Sequence, residues 1–160
     1  MEQVNEMIVS LVGLADKKKE LFSKINDITL EQKKDIEENE ARNIEELVNR
    51  KQQVIDVIDE IDREFSEKLN LLKKSLNIDA LENADFTKYP MLKTLKLKVE
   101  GIIPVARGIM EIEKENKEKL LVIFNKLKNE MKQLSVGKKS IKAYEMPSIN
   151  NDGIYIDRKK

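Results

Sequence analysis

Apolar residues recur at steps of three and four from Val4 to Leu76. The series reads Val4, Met7 and Ile8, Leu11, Leu14 and Ala15, Leu21 and Phe22, Ile25, Ile28, then Ile36, Ile44, Leu47 and Val48, Ile55, Ile58, Ile61, Phe65, Leu69, Leu72 and Leu76. That spacing lines one face of a helix, and Lys, Glu, Asp, Asn and Gln occupy the other faces. The segment holds no proline, and no glycine after Gly13. The stripe thins only between Glu31 and Asn43, where Ile36 and Ala41 are the sole apolar residues. An unbroken helix over 4–76 would be about 110 Å long. A hairpin turning near Asn39 and Glu40 is the better reading, because it gives equal arms and sets Val4 beside Leu76 and Ile36 beside Ile44. An unbroken helix in a dimer is the rival.

The periodicity fades after Ser75, and Asn83-Ala84-Asp85-Phe86-Thr87 reads as a connection. Pro90 suits the first turn of a further helix. A third face then runs through Leu92, Leu95, Val99, Ile102, Ile103, Ala106, Ile109, Met110, Glu113, Asn116, Leu120, Ile123, Phe124, Leu127, Met131 and Leu134, with Gly137 as a stop. Pro104, flanked by Gly101 and Gly108, removes one helical hydrogen bond and predicts a bend that wraps this helix around the hairpin, a functional hinge being the other reading. Glu113 and Asn116 fall on the apolar face. A buried Asn can set helix register, and a ligand contact is the alternative. The expectation is an all-α protein: a long antiparallel hairpin plus a third long, kinked helix, coiled-coil-like, over about 3–37, 42–76 and 90–135 within a bundle spanning 1–137.

Residues 138–160 differ in kind. Six basic residues face three acidic ones, a net of +3, among Ile141, Tyr144, Met146, Pro147, Ile149, Gly153, Ile154, Tyr155 and Ile156. They read as a tail flexible in isolation whose apolar side chains fold on a partner, with Ile141, Tyr144 and Tyr155 as its anchors; a disordered terminus with no role is the other reading. Residues 31–64 hold twelve acidic and six basic residues, a net of −6.

Composition narrows the chemistry. The 160 residues contain no Cys, His or Trp, so thiolate nucleophiles, imidazole bases and the usual zinc and haem ligands are excluded. Lysine plus arginine and aspartate plus glutamate stand at 30 each, without the basic surplus of a nucleic-acid-binding domain. Gly137-Lys138-Lys139-Ser140 lacks the first glycine of a phosphate-binding loop, since position 132 is Lys, and Lys139 stands where Ser or Thr should follow the first lysine. The acidic set Asp56, Asp59, Glu60, Asp62 and Glu64 lacks calcium-loop spacing and reads as a solvated face. Lys18 interrupts the apolar stripe and is expected to snorkel. The chain opens Met1-Glu2-Gln3 without a signal peptide's basic start, and its apolar runs fall far short of the roughly 20 residues that span a bilayer. A cytoplasmic binding protein without catalytic residues, metal or cofactor is expected.

Three stretches resemble the FlgN family of flagellar type III export chaperones. Asn39-Glu40-Ala41-Arg42-Asn43-Ile44-Glu45-Glu46-Leu47-Val48-Asn49-Arg50-Lys51-Gln52 is similar to that family's turn and second helix. Glu115-Asn116-Lys117-Glu118-Lys119-Leu120-Leu121 is similar to the Asn-then-Leu-Leu pattern of its last long helix, and Ile141-Lys142-Ala143-Tyr144 with Gly153 and a basic end is similar to its tail. The resemblance implies a cytoplasmic chaperone that holds the carboxy-terminal helices of hook-associated proteins 1 and 3 and delivers them to the cytoplasmic domain of the export gate. Helix-in-groove recognition is compatible with that role. Ile109, Asn116, Leu120, Ile123, Phe124, Leu127 and Met131 are then the expected cargo contacts. The competing expectation is a structural coiled-coil spacer or homodimeric adaptor that satisfies its own apolar faces and carries no cargo.

Overall fold

The computed structural model describes residues 2–134. The tail, with Ile141, Tyr144 and Tyr155, lies outside them. Three long helices account for most of the described chain: α1 over Glu2–Asn39, α2 over Ile44–Leu76 and α3 over Met91–Gln133, with a single turn of 3₁₀ helix at Leu81–Asn83. There is no strand among the described residues, and one helix is bent. The all-α hairpin and third helix read from the periodicity are what the chain forms. α3 continues through Pro104, whose neighbours Ile103 and Glu100 are exposed, so the carbonyl left without a helical N–H partner faces a region open to water.

The hairpin turn contains neither Gly nor Pro. Glu40 and Ala41 both take left-handed backbone conformations, φ 53° and 65°, which cost an L-residue about 1–2 kcal/mol each. Asp35 offsets that cost. The Ala41 N–H donates to the Asp35 carbonyl at 3.0 Å. The Asp35 carboxylate accepts from the Asn43 N–H at 3.1 and 3.2 Å and from Asn43 Nδ2 at 3.2 Å. One buried carboxylate thus fixes the end of α1 to the start of α2, where the helix dipole also favours negative charge. α2 ends in a Schellman motif, with Asn77 at φ 55° and the Ile78 N–H donating to the Lys73 carbonyl at 3.0 Å.

Contacts divide the described residues into two units, 2–25 with 53–106, and 26–52 with 107–134. Each holds a stretch of all three helices. In the first unit Val4, Ile8, Leu11, Leu72, Tyr89, Leu92 and Leu95 form a buried cluster. The α2–α3 connection contributes Leu81, Ala84 and Phe86 to its edge, and Asp85 steadies that connection by accepting from the Thr87 and Lys88 N–H groups at 3.0 and 3.1 Å. Ser10 pairs with Lys68, and Lys18 with Asp62 at 2.6 Å, so α1 and α2 run antiparallel. The Lys18 ammonium passes 5.8 Å from the Phe22 ring centre on its way to Asp62, the snorkelling its place on the stripe called for.

In the second unit Glu31 pairs with Arg50 at 3.0 Å, and Glu37 with Lys119. Thr29 meets Glu113 and Glu37 meets Lys119, so α3 runs alongside α1 in the same direction and against α2. No helix among the described residues is long and apolar enough to cross a membrane.

Two substitutions at the turn should move stability in opposite directions. Ala41→Gly relieves a left-handed alanine and is expected to raise unfolding free energy by about 0.5–1 kcal/mol. Asp35→Ala leaves the Asn43 N–H without its acceptor and should lower it by about 1–3 kcal/mol. Urea unfolding followed by circular dichroism measures both.

Candidate functional site

In the second unit the core becomes polar. Lys51 is 1% exposed and sits four residues from both Leu47 and Ile55, in the middle of the apolar face of α2. Its ammonium is met by the Glu113 carboxylate of α3 and by Gln32 Oε1 of α1. Thr29 Oγ1 donates to Glu113 at 3.4 Å, and Asn116 Nδ2 donates to the Thr29 carbonyl at 3.2 Å. All three helices thus contribute to one buried polar layer. Asn116 Oδ1 accepts no hydrogen bond among the described residues. Beside the layer lies a cleft of about 20 Å³ bordered by Ile36, Ile44, Val48 and Leu120. It has room for one water molecule and none for an organic substrate. The layer is a structural joint.

This layer corrects part of the expected cargo surface. Ile109, Asn116 and Leu120 are 0%, 5% and 3% exposed, so the structure assigns them to the core formed with α1 and α2, where they are not presented to a partner. Glu113 and Asn116 take the structural role of the two considered for them. Thr29, Gln32, Asp35 and Lys51 are buried polar residues that the apolar periodicity passed over. Lys51 was detectable, as the position where a lysine interrupts Leu47–Ile55.

After Leu120 the cover stops. No described residue beyond it is buried, and the Lys119–Glu37 ion pair ties α3 to α1 one residue before it. Yet the apolar pattern continues. Ile123, Phe124, Leu127, Met131 and Leu134 follow at steps of three and four, on the same helical face as Ile109, Asn116 and Leu120. Ile123, Phe124 and Met131 are half-buried, while Leu127 is 40% and Leu134 75% exposed. From Leu120 to Gln133 this is about 20 Å of helix. Four of the seven expected contacts therefore lie on one uncovered stripe, and the other three continue it into the core.

Lys119 hydrogen-bonds the Glu37 carboxylate, which holds the Glu37 carboxyl below its ordinary range and raises the Lys119 ammonium above its own. Glu37 thus favours the fold at neutral pH and loses that contribution as acid brings the pH through its lowered pKa. The same ion pair is intact at neutrality and is lost again as alkali passes the raised pKa of Lys119. The acidic set of α2 is solvent-facing: Asp56, Asp59, Glu60 and Glu64 are exposed, and Asp62 bonds Lys18.

No family model, curated protein or solved structure matches this chain.

The layer and the ion pair each give a measurable expectation. Lys51→Met strands the Glu113 carboxylate and should cost about 3 kcal/mol of stability, whereas Lys51→Met with Glu113→Leu should return to within about 1–2 kcal/mol of the parent, as read from denaturant midpoints. Carboxyl-carbon NMR should show Glu37 titrating below ordinary carboxylates, and Lys119→Met should bring it back up.

Proposed function

We propose that this protein is a cytoplasmic export chaperone of the FlgN type. On this reading it binds the carboxy-terminal helical segment of hook–filament junction proteins, keeps them from assembling early and delivers them to the cytoplasmic domain of the flagellar export gate. The observation that carries the proposal is the stripe Ile123, Phe124, Leu127, Met131 and Leu134. It continues the face that α1 and α2 cover as far as Leu120 and then has no cover within the described residues. A face of that spacing is completed by another amphipathic helix packing side by side, as in helix-in-groove recognition. Each apolar anchor taken from full exposure to full burial contributes on the order of 1.5–3 kcal/mol, which works against the cost of association. The resemblances at 39–52 and 115–121 supply the identity of the cargo, and the stripe supplies the means of holding it.

The test separates stripe from core. Leu127→Glu with Met131→Glu should abolish binding of a carboxy-terminal hook-associated-protein peptide, because it puts two charges into an apolar contact, while the melting temperature stays within a few degrees of the parent. Leu120→Glu should instead lower the melting temperature sharply. Unimpaired peptide binding in the double variant would move the cargo site off this surface, and failure of the parent chain to bind the peptide would favour a spacer that carries no cargo.

A further inference from the structure

The charges beside the uncovered stripe say what kind of helix fits it. Residues 121–134 carry Lys126, Lys128 and Lys132 against Glu130, a net of +2. At 100° per residue Lys128 and Lys132 border one side of the stripe, while Lys126 borders the other beside Glu130. In the same unit, the α1–α2 turn is strongly acidic. Asp35, Glu37, Glu38, Glu40, Glu45 and Glu46 are accompanied only by Arg42, a net of −5 over 35–46. Leu120 borders the same cleft as Ile36 and Ile44, the residues on either side of that turn, so the stripe begins beside the acidic turn and continues along a basic bank. At the end of α1 Asp35 is engaged by the turn, Glu37 by Lys119 and Glu38 by Lys34, while Glu38 and Glu40 remain exposed, and the negative end of the α1 dipole adds to their field.

We infer that the stripe takes an amphipathic helix whose flanks are acidic alongside Lys126–Lys132 and whose amino-terminal end meets the α1–α2 turn. This rests on the helix-binding reading and adds the partner's charge and direction. The positive end of the partner's helix dipole lies against the carboxylates of the turn, and its Glu and Asp side chains lie against the lysines, as flanking charges do when they select partners in paired helices. The partner therefore runs in the same direction as α3. A second copy of this chain is disfavoured because its own stripe is lysine-flanked, and residues 138–160 are disfavoured because they carry a net +3.

The probes are two synthetic amphipathic helices with one leucine stripe and free amino termini, one flanked by Glu and the other by Lys, together with a peptide of residues 138–160. Binding to the full chain is measured by fluorescence anisotropy at low and at high salt. The Glu-flanked helix should bind on the order of tenfold more tightly than the Lys-flanked one at low salt, and the gap should narrow as salt rises. Lys126→Glu with Lys132→Glu, both exposed positions, should reverse the preference. Because the chain has no cysteine, a spin label on Glu40→Cys reports direction, and it should broaden the peptide's amino-terminal resonances more than its carboxy-terminal ones. Equal affinity for the two helices overturns the charge inference while leaving the apolar face intact as a helix site. Tighter binding of the 138–160 peptide or of a second copy overturns it in favour of that occupant, and broadening at the peptide's carboxy terminus overturns the direction. Failure of every peptide to bind removes this inference and the helix-binding reading together.

Discussion

The second unit depends on the meeting of Lys51 with Glu113. Taking an ammonium out of water costs several kcal/mol, and in this core the cost is met only where a carboxylate from α3 and the Gln32 amide from α1 converge on it. That requirement fixes register. Sliding α3 by one turn would bring Ile109 or Lys117 to the place of Glu113. The first would leave the ammonium bare, and the second would set two ammonium groups together. Apolar contacts alone tolerate such slips, because Leu and Ile recur at the same spacing along the whole face. The polar layer does not, and polar residues in helix seams are known to act in this way. With the register fixed, the place where α1 and α2 cease to cover α3 is fixed as well. Where the bare stripe begins thus depends on one buried ion pair.

The turn obeys the same logic at smaller scale. Glu40 and Ala41 adopt backbone conformations that glycine would take without strain, and they are held there by the hydrogen bonds that Asp35 makes to Ala41 and Asn43. A carboxylate buried at the end of α1 thereby decides where α2 begins, and with it which residues of α3 the hairpin can reach.

How much of this was legible in the chain depends on what each signal reports. The three helices and the hairpin follow from where Leu, Ile and Val recur, because an unbroken 3.6-residue period over thirty or more residues has few other solutions. The turn's position was visible as the gap between Glu31 and Asn43, but that gap has two origins. Part of it is the turn. The rest is core, in which Gln32 and Asp35 replace apolar residues and are buried, and a reading that follows only apolar residues cannot tell the two apart. The division of the α3 face was not legible either. Periodicity says that Ile109, Asn116, Leu120, Leu127 and Met131 share a face. It does not say how far along that face a neighbouring helix extends, which the tertiary pairing decides: α1 meets α3 through Glu37 and Lys119, Leu120 is the last buried position among the described residues, and the expected contacts fall on both sides of it.

A formal charge of zero conceals most of what the charges do. The 30 basic and 30 acidic residues argue against a nucleic-acid-binding surface only if they are evenly mixed, and in the second unit they are not. Net charges of −5 over 35–46 and +2 over 121–134 stand on either side of Leu120. With a Debye length near 8 Å at physiological salt, a ligand on the stripe feels these local charges far more than the total. Like-charged lysines along the stripe also work against its pairing with a second copy. The same distribution gives the site a polarity along its length, which an apolar stripe alone, uniform from Ile123 to Leu134, lacks.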